Sequence, residues 1–95
     1  MNRNYFVYIM TNINHTVLYV GVTSDLADRV YQHRDGQTES FTKRYRVNKL
    51  VHFEQFSDIY EAITREKQLK GGSRRKKMEL IDASNPAWRD LSSES

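Results

Sequence analysis

The sequence predicts a small α/β sandwich of the α+β kind. It should hold a three-stranded, mainly antiparallel sheet flanked by helices, in the order β-β-α-β-α-α. Three observations lead there. Runs of aromatic and β-branched residues at 4–10 (NYFVYIM), 17–22 (VLYVGV) and 49–56 (KLVHFEQF) read as strands. Stretches with apolar residues at helical spacing lie between and after them, each preceded by a Ser or Asp suited to capping. The chain of 95 residues is enough for one core and little else. Residues 1–91 are therefore expected to form a single domain, with 92–95 as a frayed tail.

The first strand is followed by TNINHT, a polar stretch without periodicity, so the first two strands read as an antiparallel hairpin. Alternation puts Tyr8 on the face opposite Val7 and Ile9, and Tyr19 opposite Leu18 and Val20. Ser24 and Asp25 suit the cap of a helix over about 25–34, with Leu26 and Val30 as its apolar pair. Arg29 and His33 share the neighbouring stripe. Gly21 is placed at the turn from strand to helix. Residues 36–46 read as a loop before the third strand.

Ser57 is the expected cap of a second helix over about 58–70, ended by Gly71 in the left-handed conformation. Its apolar stripe is Ile59, Ala62, Ile63 and Leu69, and Glu66 falls within it. A carboxylate among core-facing positions is costly unless something compensates it. Ser73 suits the cap of a third helix running to about 83, which Asn85-Pro86 stops. Trp88 and Leu91 are expected to dock on the body.

Composition narrows the function. With no cysteine, disulfides and thiolate metal sites are excluded, which suits a cytoplasmic protein. No apolar run approaches the roughly 20 residues of a membrane-spanning helix, and no membrane partner is expected. The formal net charge is +3, and it is unevenly spread. Residues 65–77 (REKQLKGGSRRKK) hold seven Lys or Arg and one Glu, and KRYR occupies 43–46. Such clusters attract a phosphate backbone, although a solvated helix surface carries similar charge. Lys43, Arg44, Arg46, Lys70, Arg74, Arg75, Lys76 and Lys77 are the candidate nucleic-acid contacts. Tyr45 can stack on an exposed base, whereas Phe41 and Trp88 read as packing residues. No base-reading helix or zinc finger is visible. His15 and His52 show no partner in the sequence.

Periodicity leaves Tyr8, Tyr19, Arg29 with His33, and Glu66 unexplained. Phosphodiester hydrolysis uses groups of these types: a base for the attacking water, a cation for the phosphate oxygens and a carboxylate for a divalent ion. Two aromatic sheet residues, a surface ion pair of Arg29 with Asp25, and a buried acid paired with Arg29 or Lys70 would also produce the pattern.

The motifs VYI at 7–9 and YVG at 19–21 resemble the paired motifs of the GIY-YIG nuclease superfamily. Arg29, eight residues after the glycine, is similar to that family's catalytic arginine, and His33 to the Tyr or His one turn later. Glu66 in EKQLKG resembles its metal-binding glutamate, and NPAWRDL the ending of its small stand-alone members. Phe6 stands where the family name has Gly, and Val22 where some relatives carry a lysine. Asn85 is a candidate for a late asparagine only by its position.

The resemblance implies an endonuclease that cleaves DNA with a single Mg²⁺ or Mn²⁺ held by Glu66. Arg29 would bind the scissile phosphate. Tyr8, Tyr19 and His33 would activate the nucleophile and position the phosphate. A role in DNA repair or recombination on branched, damaged or single-stranded DNA is expected, with RNA as another substrate and a partner protein for delivery. The competing reading is a nucleic-acid-binding module with weak or no catalysis.

Overall fold

The computed structural model describes residues 4–35 and 43–93. Strands β1 (Tyr5–Thr11), β2 (Leu18–Thr23) and β3 (Lys49–Phe56) form one sheet in the order β2-β1-β3. Both pairings are antiparallel. The helices are α1 (Leu26–Arg34), α2 (Ile59–Gly71) and α3 (Arg74–Ser84), followed by a 3₁₀ turn at Leu91–Ser93. The expected order and sheet are thus found.

Alternation along the strands divides the core into two layers. Val7, Ile9 and Val20 meet Ala62 and Leu69 of α2, Ile81 of α3 and Trp88 on one face. Tyr8, Met10 and Leu50 meet Val30 of α1 and Val47 on the other. A one-residue register shift between Ile9 and Met10 leaves Val51 as the extra residue of a bulge. Each face of the sheet therefore has its own helical cover, and Tyr8 lies beneath α1.

Several local expectations change. Asp58, not Ser57, caps α2 by accepting the Tyr60 N–H. Gly71 is the last helical residue, and Gly72 follows in extended conformation at φ −80° and ψ 166°, not left-handed. Asp25 caps α1 through the Asp28 N–H and makes no ion pair with Arg29 among the described residues. Of the loop expected at 36–46, residues 36–42 with Phe41 lie outside the described residues. Residues 43–46 form a turn closed by the Arg46 N–H on the Lys43 carbonyl at 3.3 Å.

The C-terminal segment wraps the sheet. Asn85, 3 % exposed, donates to the Val51 carbonyl at 3.1 Å and the Arg89 carbonyl at 2.9 Å. It also accepts the Arg89 N–H, so it holds the tail against β3. Trp88 is buried, with its indole N–H donated to Asp82 at 2.6 Å. Leu91 packs on the α1 side of the sheet. Asp90 ties this end to Arg34 of α1 and accepts the Leu50 N–H at 3.3 Å. The tail expected from residue 92 begins with Ser92 bonded to Asp90 and Arg34, and 94–95 lie outside the described residues. Among the described residues, no helix is long and apolar enough to cross a membrane.

Candidate active site

Tyr8, Tyr19 and His33 converge on the α1 face of the sheet. The centroid of the His33 ring lies 5.3 Å from that of Tyr19 and 6.0 Å from that of Tyr8, in edge-to-face arrangements. The two tyrosine rings are 6.4 Å apart. Tyr8 Oη lies 3.5 Å from His33 Nε2, a long hydrogen-bond contact. Tyr8 is only 2 % exposed and His33 is also buried, whereas Tyr19 is half-buried.

Gly21 makes this cluster possible, though not by forming a turn. It sits inside β2, opposite Tyr8 on β1. A Cβ at this position would fall 2.5 Å from Tyr8 Cζ, too close for any real contact. The missing side chain is therefore the space in which the Tyr8 phenol lies.

Arg29 precedes His33 by one helical turn, so the two side chains leave α1 on neighbouring positions of one face. Arg29 is half-buried, and its side chain makes no hydrogen bond or ion pair among the described residues. The arrangement offers a cation and three ring groups that can hold or pass a proton.

Glu66 lies on α2, whose buried residues pack on the opposite sheet face. Its side chain is 14 % exposed, and Oε2 accepts Lys70 Nζ at 3.0 Å. Of the two pairings considered for a bound acid, the structure has the one with Lys70. The described contacts do not join Glu66 to the tyrosine–histidine cluster. Its other carboxylate oxygen has no partner among the described residues. That second oxygen is the donor open to Mg²⁺ or Mn²⁺, ions that keep several waters and need few protein ligands. Among the described residues, no group of three or more His, Asp or Glu is placed to hold a metal.

The basic residues divide by environment. Lys43, Arg44, Arg46 and Lys76 are exposed, and Arg44 stacks over the Tyr45 ring at 5.6 Å. Lys70 is held by Glu66, and Arg75 by Glu79 at 3.3 Å. Lys77 donates to the Gly72 carbonyl at 2.8 Å. Arg74 donates to the carbonyls of His15 at 2.6 Å and Thr16 at 3.2 Å, clamping the β1–β2 turn.

Both histidines passed over in the sequence have partners. His52 bridges Ser84 of α3 at 3.1 Å and Glu54 at 2.8 Å, and Glu54 in turn accepts Arg65 of α2 at 2.8 Å. Burial alone would raise the Glu54 pKa, but the hydrogen bonds and charges of Arg65 and His52 bring it below the ordinary value. His15 stacks on Trp88 at 4.5 Å, with Lys49 Nζ 3.0 Å from its Nε2. Burial and the Lys49 charge hold its imidazole below the ordinary pKa. These partners are distant in sequence, and no local pattern announces them.

A cavity of about 810 Å³ lies elsewhere. Ala27, Tyr31 and Arg34 line it from the side of α1 turned away from Arg29 and His33, together with Phe6 and Phe53.

Residues 4–79 match the GIY-YIG catalytic domain. The chain is 35 % identical over 82 residues to a UPF0213 protein of Haloquadratum walsbyi, covering 86 % of this chain and 91 % of that protein. It is 37 % identical over 81 residues to a UPF0213 protein of Staphylococcus saprophyticus, covering 85 % and 96 % respectively. The solution NMR structure of a UPF0213 protein from Bacillus halodurans superposes with a TM-score of 0.59 at 28 % identity, over 97 % of this chain and 98 % of that one. GIY-YIG domains form a nuclease superfamily whose members generally use divalent metal ions. With its motif tyrosines, helix arginine and three-stranded sheet in the matched region, this chain belongs to the GIY-YIG family, among the small UPF0213 proteins.

Proposed function

We propose that the protein is a divalent-metal-dependent endonuclease that hydrolyses phosphodiester bonds in DNA. The observation that carries this reading is Arg29. A half-buried guanidinium without an anion among the described residues stands one helical turn from His33, which contacts both motif tyrosines. A bidentate contact with the scissile phosphate would satisfy it.

In the proposed reaction, Arg29 holds two phosphate oxygens and stabilises the charge that grows on them. Tyr19, the less buried phenol, faces the attacking water and takes its proton. A free phenol titrates near pH 10, so this base depends on positive charge beside it, which Arg29 can supply. Tyr8, enclosed over Gly21, fixes the His33 ring, and His33 provides the next site for the proton. Glu66 would hold Mg²⁺ or Mn²⁺, with water and phosphate oxygens as the remaining ligands. Such an ion would supply Lewis-acid polarisation of the phosphate and stabilise charge on the leaving oxygen. We assign the protein to branched, damaged or single-stranded DNA in repair or recombination, because among the described residues the basic surface carries no base-reading element.

The test is cleavage of labelled duplex, single-stranded, flap and four-way-junction DNA, and the matching RNAs, with Mg²⁺, Mn²⁺ or EDTA. The expected result is metal-dependent cutting that Glu66→Ala abolishes with binding retained. Cutting by that variant would refute the role of Glu66. Salt-sensitive binding without cutting by the wild-type protein would favour a binding module and direct attention to Val22, which packs toward the α2 side of the sheet.

A further inference from the structure

We infer that Ile13, at the tip of the β1–β2 turn, is a wedge that enters a base step of duplex DNA beside the cleavage site. The inference rests on the nuclease reading above.

Ile13 is 82 % exposed and lies between two asparagines. A single exposed apolar residue is ordinary. The turn that presents it is built unusually firmly. Asn12 Oδ1 accepts the N–H groups of Thr16 at 2.9 Å and Val17 at 3.1 Å, and its Nδ2 donates to Thr16 Oγ1 at 2.6 Å. The His15 N–H closes on the Asn12 carbonyl at 3.0 Å, and Thr11 Oγ1 donates to the Val17 carbonyl at 2.6 Å. His15 adopts a left-handed backbone at φ 57°, held by its stack on Trp88 and by Arg74 on its carbonyl. Asn12, Arg74 and Trp88 thus fasten His15, Thr16 and Val17 beneath one solvent-facing isoleucine. None of these contacts covers the isoleucine itself.

Two physical consequences follow. The turn's ordering entropy is already spent in the free protein, so insertion loses little affinity to it. Apolar side chains between base steps unstack them at a cost of a few kcal/mol, which contacts to flanking phosphates offset. Lys49 stands at the base of the turn, its ammonium 3.0 Å from His15 Nε2, to make such a contact. Tyr19 pairs with Met10, and Ile13 lies three residues further along the chain. Only Thr11 of these residues is in the strand, so the wedge lies no more than roughly 11 Å from the Tyr19 row, or at most about three base steps. Insertion there would bend or open the duplex at the scissile phosphate, or favour sites already unstacked.

The test uses duplexes carrying 2-aminopurine at successive positions up to four steps on either side of the cut, saturated with protein in EDTA. Wild-type protein and Ile13→Leu should raise the fluorescence at one position several-fold. Ile13→Ala should lose most of that rise and bind about tenfold more weakly, with an unchanged melting temperature. An equal rise with Ile13→Ala, or no rise at any position on a saturated duplex, would overturn the wedge. Failure to bind duplex at all would overturn it too. Cleavage of the same duplexes in Mg²⁺ reports on the nuclease separately. Normal cutting without unstacking removes the wedge alone, and unstacking without cutting removes the nuclease alone.

Discussion

Gly21 shows how one absent side chain shapes the site. The Tyr8 ring occupies the volume that any Cβ would fill, so Gly21→Ala must displace the phenol or part the strands. Strain of this kind costs about 1–3 kcal/mol. A lower melting temperature and a large loss of cleavage are expected together, and wild-type activity in this variant would remove Tyr8 from the site. Arg29 should behave in the opposite way. It contributes no ion pair among the described residues, so Arg29→Ala should change stability by no more than about 0.5 kcal/mol. Cleavage should fall by about 10²–10³-fold, as for loss of a group that stabilises transition-state charge. Arg29→Lys should recover little, because an ammonium lacks the planar fork. Thermal melting beside initial cleavage rates separates the two effects.

At the scale of elements, β3, α2 and α3 are joined by the chain Arg65–Glu54–His52–Ser84. The Glu54 pKa is lower in the folded protein than its ordinary 4.5. A depressed carboxyl contributes stability that is complete above the unfolded value and is lost as pH falls through the folded one. Stability should therefore decline as pH is lowered below about 4.5. Glu54→Gln should flatten that part of the profile, measured by chemical denaturation across the acid range; an unchanged profile would show that other carboxyls dominate. Strands and helices were legible in the sequence because alternation and capping act over a few residues. The cap shifted from Ser57 to Asp58 because both side chains can accept an N–H, and only the backbone entry angle selects between them. The network through His52 was not legible, because its members come from three elements.

At the scale of the molecule, charge and structure separate within one basic run. Arg74 is occupied by the carbonyls of the β1–β2 turn, while Lys76 is exposed. Lys76→Gln should lower the salt dependence of DNA binding, by up to about 0.9 in logarithmic slope if it contacts a phosphate. Arg74→Gln should chiefly lower the melting temperature by freeing the turn. Salt titrations of binding and thermal melts of both variants test this division, and a stability loss confined to Lys76→Gln would reverse it. By itself the sequence determined the element order, the opposite facing of Tyr8 and Val7, the shared stripe of Arg29 and His33, and the family. These depend on backbone periodicity and local spacing. Tertiary structure alone decided that Gly21 houses a phenol, that Arg74 serves the turn, and that His15, His52 and Asn85 join distant segments. Packing volume and hydrogen-bond partners across a fold are set by where the chain returns in space, which no local pattern encodes.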